Sequence, residues 1–261
     1  MAGKITRPLR HNGLPYAGIN VLMLWTAAVA NGYVAPIWMT YRQAQELGGH
    51  VRKGEKGALV VYADRFTRKE TDEVTGEETE REIPFLKGYT VFNVEQIEGL
   101  PGHYYAKPEP RFSALQRIAH AERFFASLHA DIRIGGSEAY YAQEADYIRL
   151  PPIEAFRDAS AYYATLAHEA THWTKHPSRL DRDFGRKRWG DEGYAQEELV
   201  AELGAAFLCA DLELTLQPRE DHAAYIATWL TVLKHDKRAI FRAAAHAQRA
   251  ADYLHRLQPP M

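Results

Sequence analysis

The sequence predicts an α+β protein of two domains: a small mixed α/β module over residues 1–104 and a second, helix-rich domain over residues 111–261. Three observations carry that expectation. Positive charge and aromatic rings concentrate in the first seventy residues, a His-Glu-x-x-His sequence at His168–His172 is followed by a carboxylate-bearing helical run, and the proline-bearing stretch 101–110 separates the two.

Composition narrows the class. A chain of 261 residues that is 46% hydrophobic and 25% charged can form two cores and is too apolar for disorder to be its main state. Its 32 basic and 34 acidic side chains give a net charge of -2, which excludes a uniformly basic coat for nucleic acid but permits segregation. Cys209 is the single cysteine, so a disulfide framework is excluded. The apolar run from Val21 ends at Asn31-Gly32, short of the roughly 20 residues that cross a bilayer. No convincing small-residue cleavage site follows it. These features point to a cytoplasmic protein without a membrane partner.

The elements follow from local signals. Residues 18–30 read as a short apolar helix that Asn31-Gly32 closes, and Thr40 is placed to cap a helix over 41–47 that Gly48-Gly49 ends. Residues 58–66 and 88–96 have strand character, with Glu70, Asp72, Glu73, Glu77, Glu78, Glu80 and Glu82 on the connection between them. Further along, 139–142 and 146–150 resemble paired strands. Apolar periodicity predicts a helix entered at Pro151-Pro152 and ended by Pro177, a second helix over 194–210, and one or two covering helices over 221–257.

Residues 1–69 hold ten Lys or Arg against three acids, a net of +7, interleaved with Tyr16, Trp25, Tyr33, Trp38, Tyr41, Tyr62 and Phe66. Exposed rings stack on unpaired bases while cations contact phosphates, a combination that holds single strands with little sequence preference. The candidates for those contacts are Arg10, Tyr16, Asn20, Tyr33, Trp38, Tyr41, Arg42, Arg52, Lys53 and Lys56. Trp25 reads as core, and the run from Arg52 to Gly57 equally suits a solvated turn.

In the second domain, imidazoles at i and i+4 of a helix share a face and can clamp one ion. The metal candidates are therefore His168 and His172, with a carboxylate as third ligand. Glu198 and Glu202 are one turn apart on the next helix, so one can ligate while the other orients a ligand imidazole through its second nitrogen. Glu197 is rotated away from them and is expected to be a surface acid or an N-terminal helix charge. Two imidazoles and a carboxylate favour Zn2+ over other divalent ions. Glu169 would be the catalytic general base that takes a proton from the attacking water, and peptide hydrolysis is the implied reaction. A strand edge beside the helix would hold an extended peptide, with Tyr162, Tyr163, Tyr194, His176 and Arg179 as candidate contacts.

The chain as a whole resembles the ArdC-type antirestriction proteins, a family related by module to the front of certain plasmid conjugation primases. In the front half the resemblance lies in residues 12–21 (NGLPYAGINV), 38–44 (WMTYRQA), 47–57 (LGGHVRKGEKG) and 91–96 (VFNVEQ). In the back half it lies in residues 146–148 (DYI), 168–174 (HEATHWT), Arg179-Leu180 and 197–203 (EELVAEL). It implies a single-stranded-DNA-binding domain followed by a zincin-like metallopeptidase domain, which protects incoming plasmid DNA from restriction endonucleases. Its glutamate-zincin arrangement gives Glu198 as ligand and Glu202 as the supporting carboxylate. A protein substrate, such as a restriction-system component, would be a second partner.

Overall fold

The computed structural model describes residues 6–71, 78–106, 113–185, 192–214, 236 and 238–259. They form two compact units. The front unit is Pro8–Tyr16 with Asn20–Pro108, and the back unit is Glu109–Met261 together with residues up to Arg7 and Ala17–Ile19. No local sequence signal marks those early residues for the back unit. Gln248 explains the recruitment, because its Oε1 accepts from the Arg7 guanidinium at 2.6 Å and from the Gly18 amide at 3.1 Å.

The front unit is built on a four-stranded sheet in the order β1-β2-β5-β4, with β1 at Leu9–Arg10, β2 at Ile37–Thr40, β4 at Ala58–Thr71 and β5 at Glu78–Asn93. Strands β4 and β5 pair antiparallel from Ala58↔Val91 to Thr71↔Glu78, so both continue beyond the expected strands into the acidic stretch. Asp72, Glu73 and Glu77 lie outside the described residues. Residues 94–96, expected as strand, instead form a 3-10 turn, because the Asn93 side chain accepts from the Glu95 amide and the Gln96 side chain accepts from the Asn93 amide. Helix α1 spans Ile19–Asn31, and α2 spans Tyr41–Glu46 behind a capping box made by Thr40 and Gln43. The short strands β3, His50–Val51, and β6, Ile97–Glu98, pair beside them.

Met39, Ala44, Val94, Ile97, Leu100 and Tyr104 form the core of this unit. Tyr104 belongs to a 3-10 turn at Gly102–Tyr105. The first part of the expected linker is thus packed structure, with its phenol donating to the His11 carbonyl at 3.2 Å. Residues 107–110 lie outside the described residues.

In the back unit a three-stranded sheet has the order β7-β9-β8, with β7 at Asp131–Ile134, β8 at Tyr140–Ala142 and β9 at Tyr147–Leu150. Helix α3, Ala114–Ala126, starts at the Ser113 capping box, and its Phe125 stacks on Tyr163 at 5.9 Å. Helix α4 spans Ala159–Trp173. It begins later than the proline signal suggests, because Asp158 supplies the cap by accepting from the Ala161 amide at 2.8 Å. Ile153–Ala155 before it is a 3-10 turn, and Thr174 ends the helix ahead of Pro177.

Helix α5, Glu192–Asp211, packs between α4 and the last described helix, α6, Ala239–Arg256. The buried face of α6 is Ala243, Ala244, Ala247, Ala250, Ala251 and Leu254. Small side chains there let the two helices approach closely. Residues 221–235 lie outside the described residues.

The α4 and α5 crossing is set by Gly204. A Cβ there would sit 2.6 Å from Thr171 Cγ2 and 2.7 Å from Thr171 Oγ1. The Thr171 hydroxyl cannot move freely, since it donates to the Ala167 carbonyl at 2.8 Å. Gly204→Ala is therefore expected to lower stability by about 1–2 kcal/mol despite the better helix propensity of alanine. Urea denaturation checks it, and adding Thr171→Ala is expected to restore most of the loss.

Candidate metal centre and nucleic-acid interface

The alternating burial of β9, with Ile148 and Leu150 inside, and the apolar side of α5 hold α4 so deeply that every residue from Thr165 to Trp173 is buried. His168 and His172, one turn apart, turn their Nε2 atoms toward each other at 3.2 Å. From α5, Glu198 places Oε2 at 3.5 Å from His168 Nε2 and Oε1 at 3.5 Å from His172 Nε2. One ligand atom from each of the three residues lies within 4.8 Å of the other two.

The donor set fits a divalent ion. Two nitrogens bonded at about 2.0–2.1 Å to one tetrahedral centre stand about 3.3 Å apart. The outer nitrogens complete the pattern. His172 Nδ1 is 3.0 Å from Glu197 Oε1, and His168 Nδ1 is 3.1 Å from Glu202 Oε1. A proton on each Nδ1 leaves two Nε2 lone pairs facing each other, an arrangement that a shared cation relieves. Protonation electrostatics point the same way. Burial works against a charged imidazole at His168, but Glu198 and Glu202 reverse it and hold the group above the ordinary imidazole value. His172 is likewise raised, with Glu197 and Glu198 overcoming its burial. Burial would lift the carboxylates, yet the two imidazoles pull Glu198 well below its usual range, while Arg182 and His172 hold Glu197 at about 2.

Glu197 corrects the sequence expectation. It is buried at 6% exposure rather than a surface acid. Helix α5 has neighbours on two sides, α4 and α6, and Glu197 turns inward to His172. Arg182, which the sequence did not single out, donates to both Glu197 oxygens at 2.8 Å. The one available signal was an acid next to the candidate ligand Glu198, where it can serve His172 through its second nitrogen. Glu169 is also buried, at 3% exposure, on the same helix as both histidines.

Among the other expected contacts, Tyr163 is buried against Phe125, Tyr162 packs edge-on against Phe156, and His176 Nδ1 sits 2.7 Å from Ser178 Oγ. Tyr194 is half-buried on α5. Arg179 has a structural task. It pairs with Asp146 in the β8–β9 turn, donates to the Trp173 carbonyl at 2.6 Å and lies 3.9 Å over the Trp173 ring. The Arg179 hydrogen bonds outweigh partial burial and hold the Asp146 carboxyl below its usual value. A carboxyl lowered on folding stabilises the fold above its unfolded pKa of about 3.9 and loses that contribution as pH falls through the folded value. Denaturation midpoints at pH 6 and pH 3 are therefore expected to differ less in Asp146→Asn than in the parent chain.

The front-unit candidates differ in exposure and in the partners they already hold. Lys53 and Lys56 are exposed, Arg10 is exposed 5.5 Å over the Tyr16 ring, and Tyr41 is 50% exposed. Arg42 and Arg52 are solvent-facing but ion-paired, to Glu46 at 2.8 Å and to Glu55 at 2.7 Å. Tyr16 and Trp38 are buried, at 7% and 2%, and offer no free ring face, which corrects their assignment as stacking residues. Tyr33 lies half-buried, edge-on to Trp38 at 5.8 Å. Asn20 is also corrected. Its amide donates to the Val61 carbonyl and accepts from the Val61 amide, both at 2.8 Å, fastening α1 to β4. Phe85, Lys87 and Tyr89 escaped notice in the sequence. Register places them on one face of the β4–β5 ribbon with Tyr62, where the three rings are 38–48% exposed.

The two units and the His-His-Glu cluster define an α+β protein of two domains, the second with a zincin-like metallopeptidase fold. The zincin-like metallopeptidase family matches residues 119–246, and the N-terminal domain of anti-restriction factor ArdC matches residues 1–92. The chain belongs to the ArdC-type antirestriction proteins. It is 51% identical to the crystallised, metal-free antirestriction ArdC protein of plasmid R388, covering 97% of this chain and 88% of that one with a TM-score of 0.80. The Mn(II)-bound structure of that protein gives 49% identity over the same shares and a TM-score of 0.78. Protein y4eC of Sinorhizobium fredii (strain NBRC 101917 / NGR234) is 49% identical over 247 residues, 93% of this chain and 78% of that protein. DNA primase TraC of Escherichia coli is 41% identical over 257 residues, which are 93% of this chain and only 23% of the primase. Among the described residues, no helix is long and apolar enough to cross a membrane.

Proposed function

We propose that this chain is a cytoplasmic antirestriction protein that binds single-stranded DNA through its front unit and holds one divalent ion, Zn2+ by preference, at His168, His172 and Glu198 in its back unit. The observation that carries the ion is the 3.2 Å approach of two imidazole nitrogens above a shared carboxylate. The Mn(II)-bound relative supports a divalent site. For the front unit, support comes from the exposed Arg10, Lys53 and Lys56 and from the exposed rings Tyr41, Tyr62, Phe85 and Tyr89. Cations meet phosphates and rings meet unpaired bases.

The leading reading of the metal centre is a non-hydrolytic one, in which the ion ties α4 to α5. Its support is the burial of all three ligands, at 4%, 7% and 9% exposure. A second reading, peptide hydrolysis, is favoured by Glu169 beside His168 on α4 and by β8 lying at an edge of the sheet, where an extended peptide can pair. When bound, the ion supplies Lewis acidity toward water and a carbonyl oxygen. Glu169 is the carboxylate this chain offers to accept and return a proton, and a restriction-system protein is the substrate class considered.

Fluorescence anisotropy of labelled single strands at several salt concentrations tests the DNA reading. Saturable binding is expected to weaken with salt, and Lys53→Gln with Lys56→Gln is expected to reduce the log–log salt slope by about 1.4, or about 0.7 per lost phosphate contact. Binding that does not saturate or ignores salt defeats it. Metal content after reconstitution is expected to be one ion per chain.

A further inference from the structure

The segment that follows α4 folds back on it. The Leu180 amide donates to the Thr174 carbonyl at 3.0 Å, and the Arg182 amide donates to the Lys175 carbonyl at 3.0 Å. This return carries the Arg182 side chain, 2% exposed, under the C-terminal end of the metal helix. Its guanidinium is engaged on two sides. Nη1 donates to Thr174 Oγ1 at 3.0 Å, and Nη2 donates to the Thr171 carbonyl at 2.9 Å, which fastens the last turn of α4. Toward α5, Nε donates to Glu197 Oε2 and Nη2 donates to Glu197 Oε1, each at 2.8 Å, in the planar two-point geometry that arginine forms with a carboxylate and lysine cannot. Glu197 Oε1 in turn lies 3.0 Å from His172 Nδ1.

We infer that Arg182 is a positioning residue for the metal centre: by clamping Glu197 it fixes the rotation and tautomer of His172, so that Nε2 carries the lone pair facing His168 and Glu198. The inference rests on the metal reading above and extends it to a residue with no ligand role. Glu197 has only one of its two oxygens against His172, so without a second partner the carboxylate can swing about its own side-chain axis and take the hydrogen bond with it. Arg182 removes that freedom. It also ties the same carboxylate to Thr171 and Thr174, on either side of His172 in sequence, so ring and carboxylate are referred to a single frame. His168 Nδ1 faces a different carboxylate, Glu202, whose Oε1 is 3.1 Å away.

The alternative is that Arg182 only knits α4 to α5, and a thermodynamic cycle on the full chain separates the two. Zn2+ affinity is measured by competition with a chromophoric chelator for the parent, Arg182→Lys, Glu197→Gln and the double variant, with folding followed by circular dichroism. Arg182→Lys is expected to weaken Zn2+ binding about tenfold in the parent background, in line with the roughly 10–100-fold effects of outer hydrogen-bond partners. In the Glu197→Gln background the same change is expected to alter affinity less than twofold, because glutamine, with one acceptor oxygen, no longer makes the two-point pair through which Arg182 acts on His172. Equal effects in both backgrounds, or a fall in melting temperature with affinity within twofold of the parent, overturn the inference. Should Arg182→Lys fail to fold, two measurements remain. Glu197→Gln alone is expected to weaken Zn2+ binding about tenfold, and long-range nitrogen–proton NMR of the zinc-loaded parent is expected to show His172 protonated at Nδ1. A His172 protonated at Nε2 overturns the inference. A parent chain that binds no Zn2+ defeats the metal reading itself, a different outcome from a parent that binds while the variants match it.

Discussion

His172→Ala is expected to weaken Zn2+ binding by two to three orders of magnitude while leaving single-strand affinity unchanged. The size follows from the ligand count. Structural zinc sites with four protein ligands bind with roughly 10–16 kcal/mol near pH 7, so one ligand corresponds to about 2.5–4 kcal/mol. Loss of His172 also leaves Glu197 facing Arg182 alone and removes one of the two nitrogens that meet at 3.2 Å. The unchanged DNA affinity follows from the division of the chain, since His172 lies in the back unit and the exposed cations Arg10, Lys53 and Lys56 lie in the front one. Chelator competition and anisotropy measure the two quantities on one preparation. Retention of Zn2+ affinity within threefold would show that the ion sits elsewhere.

Glu169→Gln carries the second large effect and separates the two readings of the metal centre. The substitution keeps side-chain size at a buried position and leaves His168, His172 and Glu198 unchanged, so ion content is expected to stay at one per chain. Any peptide hydrolysis is expected to fall by about a hundredfold to ten-thousandfold, the usual contribution of a positioned general base. Restriction protection is expected to remain at the parent level, because in the leading reading the ion joins α4 to α5 and no bond is cleaved. Protection that disappears together with hydrolysis would overturn that reading in favour of the hydrolytic one. Hydrolysis that survives would remove Glu169 from the role of base.

Much of the site was legible because it is local. Helical geometry alone puts His168 and His172 on one face, and the one-turn spacing of Glu198 and Glu202 brings Glu198 to both imidazoles and Glu202 to His168. The same is true of the caps. Thr40 and Gln43 announce α2 by their spacing, and the structure shows both reciprocal hydrogen bonds. Glu197 was misread for a reason of packing. Its place on a helical wheel says that it points away from Glu198, but not that the second nitrogen of His172 is reached from that side. Tyr16, Trp38 and Asn20 illustrate the converse. Aromatic and amide side chains in a basic segment suit nucleic acid, yet the rings are buried and the amide completes the edge of β4.

The sequence by itself determined the α+β class, the charge segregation and the His-Glu-x-x-His helix, since each depends on composition or on spacings of a few residues. Only the tertiary structure decided that Arg182 sits behind Glu197, that Gln248 draws Arg7 and Gly18 into the back unit, and that Phe85, Lys87 and Tyr89 share a face with Tyr62. Each of these relations joins residues far apart in the chain or on paired strands. The physical reason is that burial and register are properties of the folded whole: a side chain's neighbours across a helix crossing or a strand pair are fixed by the packing of entire elements, which no local spacing encodes.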